Sequence, residues 1–201
     1  GLHGGRVMRV ATPRSAGVWT AVAVVIVASA AIAAQQDQPE RFGFGRPATE
    51  AEIAAWDIDV TPDGTGLPPG GGTAVEGRSI YVEKCEICHG AHGEGRPFSQ
   101  LVGREPRQGF PFGNQPSLVR TIGNYWPFAP TLYDYTFRTM PFDEPGTLEP
   151  DEVYALTAFL LYLNDIVAED DVIDANTLPR VQMPARDKFV GDNRRGGREL
   201  R

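Results

Sequence analysis

The chain has 201 residues, with 19 Lys and Arg against 26 Asp and Glu, a formal net charge of −7, and two cysteines. This length allows one domain with appendages or two very small domains. The composition excludes a disulfide-rich scaffold and a multi-span membrane protein, and the acidic balance argues against a nucleic-acid partner, which needs a basic surface. Glycine (23) and proline (17) are abundant, so a loop-rich domain of this size needs a stabilising element beyond its own core.

The N-terminal segment 1–34 is predicted to direct export. Three arginines precede an uncharged apolar run, 16–34, that ends in small residues. This order is typical of a secretory signal peptide. A retained membrane anchor is the alternative, because the run is just long enough to span a bilayer. The rest of the chain has 16 basic and 26 acidic residues, hence a net charge of −10, which suits a basic partner surface.

The remaining chain is predicted to be helical between two extended arms. Residues 35–73 are rich in glycine and proline and predict an arm that lies on a domain or on a partner. Residues 74–165 form the predicted domain, and 166–201 predict a C-terminal arm with a disordered end. No strand pattern is evident. Hydrophobic spacing, prolines at first turns and capping residues predict helices over Thr49–Trp56, Thr73–Cys88, Pro116–Gly123, Ala129–Thr139 and Pro150–Asn164.

Both cysteines lie in one motif, Cys85-Glu86-Ile87-Cys88-His89. This C-x-x-C-H sequence is typical of covalent haem c attachment. Residues three apart share a helix face, so both sulfurs can reach one macrocycle, and His89 follows as the proximal iron ligand. Haem is attached outside the cytoplasm, which agrees with the export prediction.

Three other uses of these residues fit the sequence less well. A thioredoxin-like redox pair needs a preceding βαβ pattern, which is lacking. A zinc site built from Cys85, Cys88, His89 and His92 lacks the second, separated ligand pair that such sites usually have. A disulfide between Cys85 and Cys88 would close a small, strained ring.

The sixth iron ligand is predicted to be Met140. Electron-transfer haems are often held by His and Met. Met140 ends a predicted helix and precedes a proline, which leaves its thioether on a loop. Met183, in the C-terminal arm, is expected to fill the core instead. The second ring nitrogen of His89 is expected to bond a backbone carbonyl near Pro97. The predicted pocket residues are Tyr81, Pro97, Leu101, Trp126 and Phe137.

The spacing of Gly77, Tyr81 and the haem motif, together with Met140-Pro141 and the helix carrying Leu156 and Phe159, resembles class I monohaem cytochromes c. The resemblance covers about 74–165 and implies an all-α fold whose first and last helices cross beside the haem. Longer phrases resemble the cytochrome subunit of periplasmic sulfite and sulfane dehydrogenases, the SoxD-like group. They are WDIDVTPDGTGLPPG (56–70), IGNYWPFAPTLYDYTFRTMPF (122–142), DEVYALTAFLLYLN (151–164) and MPARDKFV (183–190).

The resemblance implies a periplasmic relay that takes single electrons from a molybdoprotein dehydrogenase subunit and passes them to a downstream cytochrome c or oxidase. It implies one haem c and no bond-making chemistry on a substrate. The alternatives are a free or membrane-tethered shuttle between respiratory complexes, the haem subunit of another dehydrogenase, and a non-redox zinc-binding export protein. A membrane contact is expected only if segment 1–34 is retained.

Overall fold

The computed structural model describes residues 44–191. Contacts divide this part into a short segment, 44–49, and a larger unit, 50–191, which holds all the described helices and strands. The predicted signal segment 1–34 and the end of the predicted C-terminal arm, 192–201, lie outside the described residues. No helix in the described part is both long and apolar enough to cross a membrane.

The helices predicted over 49–56, 129–139 and 150–164 are confirmed to within a residue, whereas the one predicted over 73–88 is interrupted at Cys85. Short 3-10 turns lie at Pro111–Gly113, Leu178–Arg180 and Arg186–Lys188. The helices are α1 (Glu50–Trp56), α2 (Ala74–Lys84), α3 (Glu86–His89), α4 (Ala129–Thr139) and α5 (Pro150–Leu163).

Capping residues set where α2 and α5 begin. The Thr73 hydroxyl accepts from the Glu76 amide at 3.3 Å, and the Glu76 carboxylate accepts from the Thr73 amide at 2.8 Å. Glu149 and Glu152 form the equivalent reciprocal pair at α5. These bonds satisfy amides that have no partner within the helix, so each helix starts at a defined residue.

The crossing of α2 over α5 forms the centre of the core. Gly77 makes this close approach possible, because a Cβ there would lie 2.0 Å from the Ala155 carbonyl oxygen. One turn further along α2, the buried ring of Tyr81 packs against Phe159 with centroids 5.2 Å apart. The first and last helices of the 74–165 region therefore meet directly, as in a class I cytochrome c.

Segments on either side of the 74–165 region also meet on α5. Strand β1 (Gly71–Gly72) pairs antiparallel with β2 (Ile173–Asp174). The Tyr154 hydroxyl of α5 donates to the Pro68 carbonyl at 2.8 Å. The all-α expectation thus differs from the structure in one detail, since a two-residue ladder is too short to leave a sequence pattern.

The helix predicted over Pro116–Gly123 is wrong; the segment forms turns. The Thr121 amide donates to the Asn124 side-chain oxygen at 2.8 Å, and the Ile122 amide donates to the Leu101 carbonyl at 3.1 Å. Side-chain and distant backbone acceptors therefore take the amides that a helix would need.

Candidate haem site

The two cysteines of the motif lie where α2 ends and α3 begins. Cys85 is the residue between the helices, and Cys88 lies three residues on, inside α3. Both are half-buried and neither forms a disulfide. Burial raises the pKa of the Cys85 thiol to about 11, so the thiol is neutral at pH 7. The geometry leaves both sulfurs available for covalent attachment.

His89 is the last residue of α3, and its ring is already oriented. Nδ1 lies 2.8 Å from the Ser99 carbonyl oxygen. Because a carbonyl only accepts, Nδ1 must carry the proton, which leaves the lone pair on Nε2. Within residues 44–191, Nε2 has no hydrogen-bond partner. This tautomer is the one an axial iron ligand requires, and the expected acceptor lies two residues beyond Pro97.

The loop 90–103, which we call the histidine-side loop, returns over the motif by backbone hydrogen bonds. The Gly95 amide donates to the His89 carbonyl at 2.8 Å, and the Phe98 amide donates to the Cys88 carbonyl at 3.1 Å. The Leu101 and Val102 amides share the Gly93 carbonyl, each at 2.9 Å. The loop is therefore bound to the motif that it covers.

Tyr81 connects α2 to the same loop. Its side chain is fully buried, and its hydroxyl donates to the Gly90 carbonyl at 2.8 Å. Burial raises the pKa of Tyr81, so the hydroxyl keeps its proton and its donor role. Tyr81 thus fixes the point where the chain leaves His89.

Met140 and Met183 occupy different environments. Met140 directly follows α4, half-buried and extended, with its amide bonded to the Thr136 carbonyl at 3.0 Å. Pro141 follows it and prevents the helix from continuing. Met183 is 4% exposed and belongs to the main hydrophobic cluster. The prediction that Met183 packs in the core is consistent with this position, and Met140 remains the candidate sulfur ligand.

The other predicted pocket residues divide into two groups. Leu101, Trp126 and Phe137 are partly buried and pack against the main core. Pro97 is exposed and lies in the bend at 96–98 that precedes Ser99, and its place in the haem pocket stays a prediction.

Sequence reasoning did not identify one acceptor of the site, nor the unpartnered hydroxyl of a core tyrosine. Ser99 acts through its backbone carbonyl, which no residue pattern identifies. Tyr133, on α4, is fully buried, and its hydroxyl has no partner among the described residues. Burial raises the pKa of Tyr133, so its hydroxyl keeps its proton.

These residues fit a haem better than a zinc ion. Two free thiols precede an imidazole whose Nε2 has no hydrogen-bond partner in the described part of the chain. Within the described ranges, no cluster of three or more His, Cys, Asp or Glu side chains is arranged to hold a metal ion. His92, the fourth zinc candidate, is exposed.

Comparisons with known proteins agree with this geometry. Residues 72–160 match the family model described as cytochrome c oxidase, cbb3-type, subunit III. A chain in the crystal structure of the sulfane dehydrogenase SoxCD from Paracoccus pantotrophus is 40% identical, with a TM-score of 0.67, over 76% of this chain and 73% of that one. No curated protein matches. The chain therefore belongs to the haem c-containing electron-transfer cytochromes, in the group that includes the cytochrome subunit of sulfane dehydrogenase SoxCD.

Proposed function

We propose that this protein is a periplasmic c-type cytochrome that accepts single electrons from a molybdenum-containing sulfite or sulfane dehydrogenase subunit. The partner is supported by the 40% identity to a chain of a sulfane dehydrogenase complex over most of this chain. The relay role is supported by the imidazole of His89, oriented by Ser99 with Nε2 available. Downstream, a cytochrome c or an oxidase takes the electron.

The chain's own residues hold and tune the cofactor. Cys85 and Cys88 carry the two thioether bonds, and His89 and Met140 supply the nitrogen and sulfur ligands. Bound haem supplies a reversible one-electron change at iron. The Ser99 carbonyl, 2.8 Å from Nδ1, makes His89 a more basic ligand and so favours the ferric state.

The proposed docking face surrounds the motif. Ile87, inside the motif, is 82% exposed, and Phe98, whose amide bonds the Cys88 carbonyl, is 60% exposed. Phe142, two residues after Met140, is 80% exposed. A contiguous patch of apolar side chains left in water marks a contact surface, and we propose that these three side chains form one. A partner that covers them brings its own redox centre close to the attachment site and excludes water between the two.

Native purification followed by metal analysis tests the partner. We expect a stable complex that contains haem c, molybdenum and a second chain, recovered from the periplasmic fraction. A complex with haem c and no molybdenum would contradict the dehydrogenase role. If the cytochrome is instead recovered from the membrane without a partner chain and with residues 16–34 retained, the result would support a tethered electron shuttle.

Surface variants test the docking face. Ile87→Glu places a charge within the proposed contact and should weaken the complex at least tenfold. Val75→Glu is the matched control, because Val75 is also exposed (59%) but lies on α2 away from the motif. Equal weakening by both variants, or by neither, would contradict the proposed face.

A further inference from the structure

A buried asparagine at the end of α5 is connected to the histidine-side loop. Asn164 is fully buried. Its side-chain oxygen accepts from the Gly103 amide at 3.1 Å, and its nitrogen donates to the Leu160 carbonyl at 2.8 Å and to the Leu101 carbonyl at 3.4 Å. One carboxamide therefore joins the end of α5 to residues 101–103.

The turn at 121–124 also bonds to segment 101–103. The Ile122 amide donates to the Leu101 carbonyl at 3.1 Å, and the Thr121 hydroxyl donates to the Gly103 carbonyl at 2.6 Å. Gly123 leaves room for this arrangement, since a Cβ there would lie 2.4 Å from the Asn164 oxygen and 2.7 Å from the Gly103 carbonyl oxygen. Residues 101–103 are thus fixed from two sides.

The fixed segment lies next to the acceptor that orients the proximal histidine. Ser99 is exposed, so packing does not hold its carbonyl in place. Two residues later, Leu101 is anchored through its amide to Gly93 and through its carbonyl to Asn164 and Ile122. The Ser99 carbonyl, 2.8 Å from His89 Nδ1, thus lies between two anchored residues, Leu101 and Phe98, whose amide donates to the Cys88 carbonyl at 3.1 Å.

We propose that Asn164 is a positioning residue for His89, which acts through residues 99–103 and sets the strength of the Nδ1 hydrogen bond. The inference rests on the proposed attachment of haem at Cys85, Cys88 and His89. Removing the carboxamide leaves the half-buried Gly103 amide without its acceptor and takes from the Leu101 carbonyl one of its two donors, the other being the Ile122 amide. The Ser99 carbonyl then moves more freely, His89 becomes a weaker donor to iron, and the ferric state loses stabilisation.

The test uses the holoprotein with Asn164→Leu, which keeps the same branched heavy-atom skeleton without the hydrogen bonds. In the reduced protein, the His89 Nδ1–H should exchange with solvent about fivefold to tenfold faster, the factor expected for one weakened hydrogen bond. At a fixed ambient potential, the ratio of reduced to oxidised protein should rise about threefold, which is about 30 mV at 59 mV per tenfold.

Tyr154→Phe is the matched control. It removes a different hydrogen bond of α5, the 2.8 Å bond to Pro68, and should change neither quantity. Gly123→Ala is the second variant; it keeps Asn164 but pushes it from Gly103, so it should reproduce both changes even if Asn164→Leu fails to fold.

The inference would be overturned if the holoprotein of Gly123→Ala or of Asn164→Leu kept the parent exchange rate of the His89 Nδ1–H. It would also be overturned if Tyr154→Phe changed the exchange rate and the redox ratio as much as these variants do. A parent protein without a haem c spectrum would instead contradict the proposed function, so the two failures are distinguishable.

Discussion

The two loops that offer iron ligands differ in how they are held. The histidine-side loop bonds to α3, to Asn164 at the end of α5 and to the 121–124 turn. The methionine-side loop, 140–149, is exposed from 142 to 147 and begins with one bond back to α4. Many independent contacts fix the histidine, whereas the methionine depends on where one helix ends. The methionine side should therefore tolerate change, and the histidine side should not.

The largest effect is expected on the histidine side. His89→Ala removes the proposed proximal ligand and the partner of the Ser99 carbonyl. We expect no low-spin haem c spectrum and little stable protein, measured by visible spectroscopy and yield. His92→Ala is the control, because His92 is exposed; normal low-spin haem in His89→Ala would contradict the assignment.

The next largest effect should come from the α2–α5 crossing that supports the histidine side. Gly77→Ala improves helix propensity by about 1 kcal/mol, but its Cβ would lie 2.0 Å from a backbone oxygen. Because the backbone of Ala155 cannot move aside cheaply, the steric overlap outweighs the gain in helix propensity. We expect a net loss of about 1–3 kcal/mol in the free energy of unfolding. Gly113→Ala, with nothing within 4 Å of its Cβ, is the control for denaturant unfolding. A stabilised Gly77→Ala would contradict the close crossing.

The methionine side should lose its ligand without losing the fold. Met140→Ala should abolish the weak sulfur-to-iron absorption band in the red while stability falls little, because Met140 is only half-buried.

Met183→Ala provides the reverse pattern. The Met183 side chain is 4% exposed and lies in the core, so the substitution should lower the free energy of unfolding by about 2–5 kcal/mol. The sulfur-to-iron absorption band should remain. Loss of the band in Met183→Ala, and not in Met140→Ala, would exchange the two assignments.

Features of the site that depend on residue type and spacing could be predicted from the sequence, whereas features that depend on contacts between distant residues could not. The motif and the helices α4 and α5 follow from residue types and spacing, so they were predictable. The Ser99 acceptor was predicted only to within two residues, because a backbone carbonyl has no side-chain signature. Asn164 reads from sequence as an ordinary helix end, and only the fold brings Gly103 and Leu101 to its side chain. The failed helix over Pro116–Gly123 has the same cause, since distant acceptors outcompeted local hydrogen bonds.

The smallest predicted effect is the pH dependence of the ion pair between α2 and α5, the helices that support the histidine-side loop. The hydrogen bond from the Glu149 amide, and then Lys84 at 3.0 Å, lower the pKa of Glu152 below its ordinary value. A lowered carboxyl pKa stabilises the fold above the ordinary value, about 4.5, and this stabilisation is lost as the pH falls through the folded-state pKa. Glu152→Gln should cost about 0.5–1 kcal/mol at pH 7 and flatten the acid limb of a stability–pH curve. Glu144→Gln, on the exposed methionine-side loop, should leave that limb unchanged; an equal change in both variants would mean that the ion pair between α2 and α5 adds nothing to the histidine side.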